Sequence, residues 1–254
     1  ADRPHELRDF GAPQTIDQTH LFGRAVRWFA DPGPPDVASV ASWRSLGART
    51  VLEAKGPPPG PVHLNLAFRE PLVGSPLPLA HGRPGGEPWH KSLPARAALE
   101  PVACRAVADR LRGRTGVIVA GAGVEDPEGV LLLAQVLGWP VLADPRSGCR
   151  VPHPCVIAHA DALLGVEGAH RGPKVVLRLG AAPVTKVVNQ WMAAVGAVQV
   201  LVERDGVWLD PDRTAALVVA AEPGRVCREV AAEIEHELAD PAGAGGAISA
   251  PPAW

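Results

Sequence analysis

Three side chains in this sequence stand out for the anionic chemistry they could do. Arg3 lies in ADRPHELRDFGAPQTIDQ. The following Pro4 disfavours helix and presses Arg3 into an extended conformation. A guanidinium held on a fixed backbone suits a bidentate grip on a carboxylate. Gln14 lies in the same segment. Thr15 and Gln18 match the S/T-x-x-E/Q capping box, so they predict a helix start. That leaves Gln14 without a structural task and makes it a candidate ligand-binding amide. Lys186 lies in LGAAPVTKVV, in the first turn of an expected helix at the carboxyl end of an expected strand. Open α/β sheets bind ligands at that edge. A lysine there opposes the helix dipole, which suits an external anion.

Other motifs read as structural. GAGVED, residues 121–126, follows a strand and precedes a helix. Asp144 ends the next strand, where a ribose-binding acid would sit. Asp126 replaces the third glycine of a dinucleotide fingerprint, and an acid there competes with a pyrophosphate for the helix N-terminus. The expectation is a tight turn capped by Asp126. Cys104, Cys149, Cys155 and Cys227 are scattered with no C-x-x-C pair, so no zinc site is expected and the thiols read as free and cytosolic. Asp205-Gly206 is a turn.

These residues need elements to position them. TIDQTHLFGRAVRWF reads as a helix, weakened at Gly23, and SVASWRSLGARTVLEAK as a second. PVHLNLAF alternates as a strand, with Val62, Leu64 and Leu66 on one face. Residues 74–98, rich in Pro, Gly, His and Arg, read as a linker. Residues 99–238 alternate helices with short apolar strands such as GVIVAGAG, PVLAD, KVVLRLG, VQVLVER and ALVVAA. That is the pattern of a Rossmann-like, doubly wound parallel sheet. The formal net charge of −2 provides no field to recruit nucleic acid. No apolar run approaches the roughly 18 residues of a membrane span. The chain starts at Ala1, its one methionine is Met192, and it reads as an internal piece of a longer protein.

Together, ADRPHELRDFGAPQTIDQ, RAVRWF, GPVHLNLAFREPL, LGAAPVTK with Trp191 downstream, and DGVWLDP resemble the MenD family. These are the thiamine-diphosphate-dependent 2-succinyl-5-enolpyruvyl-6-hydroxy-3-cyclohexene-1-carboxylate synthases of menaquinone biosynthesis. The resemblance implies α/β architecture throughout. Residues 1–73 correspond to the C-terminal part of the pyrimidine-binding domain and 99–238 to the central domain. Residues 239–254 lead towards a diphosphate-binding domain that this chain lacks. It implies a cytoplasmic transferase, a homodimer or homotetramer, that decarboxylates 2-oxoglutarate and adds the succinyl unit to isochorismate. Arg3, Gln14 and Lys186 then resemble the family's substrate contacts.

Thiamine diphosphate and Mg²⁺ (or Mn²⁺) would serve the full-length enzyme. The family's metal motif, Gly-Asp-Gly with a later Asn, has no counterpart here: Arg204-Asp205-Gly206 is the nearest, and no Asn follows it. The chain alone is therefore expected to bind no cofactor and to be inactive. Three positions depart from the family: Pro13 where Asn is usual, Ala67 where Pro is common, and Val187 where some members carry Arg. An acetolactate-synthase-like carboligase and a nucleotide-binding Rossmann-like module are the alternative readings.

Overall fold

The structure, a computed structural model, describes residues 1–75, 81–93, 98–166 and 172–239. The chain divides into two compact units between Pro94 and Ala95. The expected C-terminal linker, 239–254, lies outside the described residues except for Ala239.

The second unit is an α/β layer structure built on six parallel strands. They are β3 (Gly116–Ala120), β4 (Val141–Ala143), β5 (Val156–Ile157), β6 (Val175–Leu179), β7 (Val198–Glu203) and β8 (Ala215–Ala220). Their order is β5-β4-β3-β6-β7-β8. Every residue of β3, β4 and β6 is buried, because helices cover both faces of the sheet.

One face carries Ile118, Ala120, Leu177 and Val200 against α2 (Pro101–Leu111), α3 (Pro127–Leu137) and α6 (Pro223–Ala239). The other carries Val117, Val119 and Val176 against α4 (Ala160–Leu164) and α5 (Lys186–Ala194), through Val188, Trp191 and Met192. Period-2 alternation along each strand feeds the two cores. Trp139 is fully buried, its indole N–H given to the Arg114 carbonyl at 2.9 Å. A Cβ on Gly116 would come within 2.3 Å of its ring, so only glycine fits there. Helix α3 starts as expected: Asp126 accepts the Gly129 N–H at 3.1 Å, and Pro127 follows it. It ends at Gly138, with φ of 65°, the usual left-handed helix stop.

The first unit is a β–α–β unit: β1 (Trp28–Ala30), α1 (Val40–Lys55) and β2 (Val62–Leu64). The strands pair in parallel, Phe29 opposite His63. The helix expected over 15–29 does not form. Residues 11–25 run as turns, with short 3₁₀ geometry at Gly23–Ala25 before β1. Positive φ at Gln14 (57°), His20 (52°) and Gly23 (49°) breaks any helical run.

The Thr15/Gln18 capping box is likewise not realised. The Thr15 hydroxyl donates to the Pro13 carbonyl, and the Gln18 amide reaches Asp2 instead. In β2 and its extension, Val62, Leu64 and Leu66 are half-buried, while His63, Asn65 and Ala67 form the buried face. Residues 81–90, inside the expected linker, are docked on α1. Arg44 donates to the His81 carbonyl, Ser45 meets His90 at 2.8 Å, and Arg83 lies 4.6 Å above the Trp89 ring.

Candidate anion-binding site

In the first unit the structure brings Arg3 and Gln14 together. An Arg3 Nη2 donates to Gln14 Oε1 at 3.0 Å. The other terminal nitrogen reaches the exposed Glu70 at 3.4 Å. The Arg3 side chain keeps 25% of its surface open, against 73% for Glu70. A pair this exposed and this long is worth roughly 0–1 kcal/mol, so an incoming carboxylate can take the place of Glu70.

A second layer lies beneath it. The Asp2 side chain is fully buried, and its two oxygens accept four hydrogen bonds. Oδ1 takes the Arg3 backbone N–H at 2.7 Å and Gln18 Nε2 at 3.0 Å. Oδ2 takes Arg8 Nη2 at 2.6 Å and Asn65 Nδ2 at 2.9 Å. Arg8 and Asn65 also reach Asp31, at 3.4 and 3.0 Å. Burial pushes the Asp2 and Asp31 carboxyls up, but donors led by Asn65 more than offset it, and both pKa values fall below the ordinary 3.8. The backbone closes the arrangement: Asp2 bridges in parallel to Ala67, its N–H to the Leu66 carbonyl at 2.8 Å.

Lys186 belongs to the other unit. It is exposed in the first turn of α5, as expected from the sequence. Asn189 braces that turn by donating to the carbonyls of Pro183 and Thr185, at 2.8 and 3.0 Å.

The switch point of the sheet, between β3 and β6, is filled by protein. The Gly121 N–H donates to the Leu179 carbonyl and the Ala181 N–H to the Ala122 carbonyl, each at 2.8 Å. A Cβ on Gly121 would lie 1.7 Å from the Ala181 oxygen. At the start of α3, Arg228 grips Asp126 through two bonds of 2.9 and 2.8 Å. That pairing with Arg228, against opposing burial, holds the Asp126 carboxyl below its ordinary value. Asp144 is spent on the Val184 N–H at 2.7 Å and on the N–H and Nε of Arg146. The groups that would read a dinucleotide are thus used internally, which argues against the nucleotide-module reading.

Sequence reasoning did not single out Asp2, Arg8, Gln18, Asp31 or Asn65 as one cluster. The available signals were the charge density of residues 1–18 and the polar face of the strand after Pro61. For a thiamine diphosphate–metal group the residues present are a poor fit. No group of three His, Cys, Asp or Glu among the described residues could hold a metal ion. Asp205 instead hydrogen-bonds Arg204. Among the described residues no helix is long and apolar enough to cross a membrane.

Comparison with known proteins adds four findings. Residues 83–242 match the family model described as "Middle domain of thiamine pyrophosphate". The chain is 38% identical over 261 residues to a 2-succinyl-5-enolpyruvyl-6-hydroxy-3-cyclohexene-1-carboxylate synthase of Halobacterium salinarum, covering 92% of this chain and 44% of that protein. It is 37% identical to the synthase of the same name from Geobacillus thermodenitrificans, covering 91% of this chain and 41% of that protein. The chain thus spans less than half the length of these curated relatives. The X-ray structure of a thiamin diphosphate-dependent enzyme from Mycobacterium smegmatis shares the fold, with a TM-score of 0.58 at 16% identity. That match covers 91% of this chain and 44% of that one.

Proposed function

Because the chain belongs to the family of thiamine pyrophosphate enzyme middle domains, we propose that it is the central part of a MenD-type synthase. In this reading the whole enzyme decarboxylates 2-oxoglutarate and adds the succinyl unit to isochorismate. Thiamine diphosphate and a divalent metal would be held by segments other than this one. The observation that carries the reading is the Arg3–Gln14 pair, a partly open guanidinium beside an amide, in a chain about 38% identical to such synthases.

The first unit supports a role as the C-terminal part of a pyrimidine-binding domain. Among its described residues it has two strands, and α1 buries no residue completely. A two-stranded parallel sheet needs further strands or helices to bury its faces.

Both substrates are polyanions, so the protein's task at this edge is to bind and orient carboxylates. Arg3 supplies charge and two parallel donors, and Gln14 supplies an amide. Lys186, exposed in the first turn of α5, is a separate candidate for a substrate carboxylate in the second unit. A hydrogen bond to a charged partner is worth about 1.5–3 kcal/mol, or roughly 10- to 150-fold in affinity. In the complete enzyme, Arg3→Ala is therefore expected to raise KM for an anionic substrate by about that factor. Kinetics indistinguishable from wild type would remove the assignment. Turnover of pyruvate in place of 2-oxoglutarate with isochorismate would replace the reaction with an acetolactate-type one.

A further inference from the structure

We propose that Asp2 is the positioning residue of this site, a buried carboxylate that aligns both Arg3 and Gln14. The proposal rests on the reading that Arg3 and Gln14 meet a substrate carboxylate.

The argument starts from burial. A carboxylate with no exposed side-chain surface is expensive unless its oxygens are filled. Asp2 fills them from four separate places in the chain. Two of those places lead directly to the binding pair.

The first is the Arg3 backbone N–H, 2.7 Å from Oδ1. Proline follows Arg3, and Asp2 itself is bridged to the β2 extension on both sides of its peptide. The backbone that carries the guanidinium is thereby fixed from three directions. The second is Gln18, whose amide donates to the same oxygen at 3.0 Å. Gln18 lies four residues after Gln14, in the loop whose turn places Gln14 at φ of 57°. Pulling Gln18 onto Asp2 anchors that loop and returns the Gln14 carbonyl to Arg3.

Arg8 and Asn65 fill the other oxygen and share Asp31. They hold the carboxylate itself still. Arg8 Nε and Asn65 Oδ1 lie buried without a hydrogen-bond partner among the described residues, so the cluster is arranged for geometry more than for stability. Second-layer groups of this kind set the precision of the groups that touch a ligand.

The test uses the complete enzyme and compares Arg3→Ala, Asp2→Asn and Gln18→Leu. Asn at position 2 keeps the shape but offers one acceptor oxygen where the carboxylate offers two. Expected results are a KM for the anionic substrate raised about tenfold in Asp2→Asn and a few-fold in Gln18→Leu. The expected kcat stays within about twofold, and the N–H of residue 3 loses hydrogen-exchange protection. A purely structural role would lower the amount of active enzyme, and so kcat, with no change in KM. Raised KM in Arg3→Ala with wild-type KM in folded Asp2→Asn overturns the positioning role and leaves the substrate reading intact. Wild-type KM in Arg3→Ala overturns the substrate reading and the proposal with it. If Asp2→Asn does not fold, Gln18→Leu decides, since it leaves three of the four donors in place. A raised KM at steady kcat supports the proposal, and a wild-type KM overturns it.

Discussion

Replacing Arg178 with Met isolates the energetics of a charge in the middle of the sheet. Arg178 lies on β6, between β3 and β7, and is 6% exposed. One terminal nitrogen donates to Asp210 Oδ1 at 2.6 Å and Gln199 Oε1 at 3.2 Å. The other donates to the Leu209 carbonyl at 2.9 Å. These bonds tie the loop after β7 onto the sheet. Gln199 continues the chain of contacts to the Met192 carbonyl at the end of α5, at 2.7 Å.

Met fills similar volume but strands the Asp210 carboxylate, which keeps only backbone N–H donors, those of Ala215 at 2.9 Å and of Thr214, among the contacts that hold it now. Breaking one side of a buried pair costs about 3–5 kcal/mol. For a unit of this size each kcal/mol moves Tm by roughly 2–4 °C, so a fall of about 6–20 °C is expected. The pH dependence carries a second signature. In the wild type, burial raises the Asp210 pKa, but the Ala215 N–H and Arg178 outweigh it, and the folded value lies below 3.8. Without Arg178, two of the contributions that lower it are gone while burial remains, and the folded value rises. Protonation then relieves the penalty, and the deficit shrinks as pH falls. Circular-dichroism melts of wild type, Arg178→Met, Asp210→Leu and the double variant complete the cycle. The double variant should recover most of the loss. A single-variant cost under about 1 kcal/mol, or a deficit that grows at low pH, would refute the reasoning.

Three further predictions concern the same units. Gly121→Ala puts a methyl 1.7 Å from the Ala181 backbone oxygen. Overpacking of this kind costs about 1–3 kcal/mol or more, and urea unfolding should show it, with a wild-type midpoint counting against the stitched switch point. Asp126→Ala removes a helix cap worth about 1 kcal/mol and a half-exposed pair to Arg228 worth up to about 1. A loss of unfolding free energy larger than about 2 kcal/mol in urea unfolding would mean that more than these contacts is lost. Acid should release the Asp2–Asp31 cluster. Both folded values are lowered, so their stabilisation is complete above the ordinary 3.8 and is lost as pH falls through the folded values. Protection of the Arg3 amide, taken relative to its intrinsic exchange rate at each pH, should be full at pH 6 and fall once pH drops below the ordinary 3.8, and protection unchanged at about pH 2.5 would contradict the cluster's ionised state.

The second unit was legible almost throughout because its strands are buried on both faces. Continuous apolar runs, Asp-Pro helix starts and Gly stops are local signals, and β3, α3, β4, β6, α5, β7, β8 and α6 follow them. The two-residue strand β5 escaped because Val156–Ile157 is too short to show a period. Lys186 was placed in the first turn of α5 from local pattern alone. The region before β1 was misread as helix because its apolar spacing is compatible with one. Its side chains are instead claimed elsewhere: Gln18 by Asp2 and the Thr15 hydroxyl by the Pro13 carbonyl.

That contrast marks what each level decides. The residues alone determined the α/β layering of the second unit, the capping role of Asp126 and the candidacy of Arg3, Gln14 and Lys186, because those depend on neighbours within a turn or a strand. Only the tertiary structure set Gln14 against Arg3, buried the Asp2 carboxylate beneath them and closed the switch point between β3 and β6. Those arrangements join residues up to 63 positions apart, as in the Asp2–Asn65 bond, and no local pattern encodes which distant donor will fill a buried oxygen.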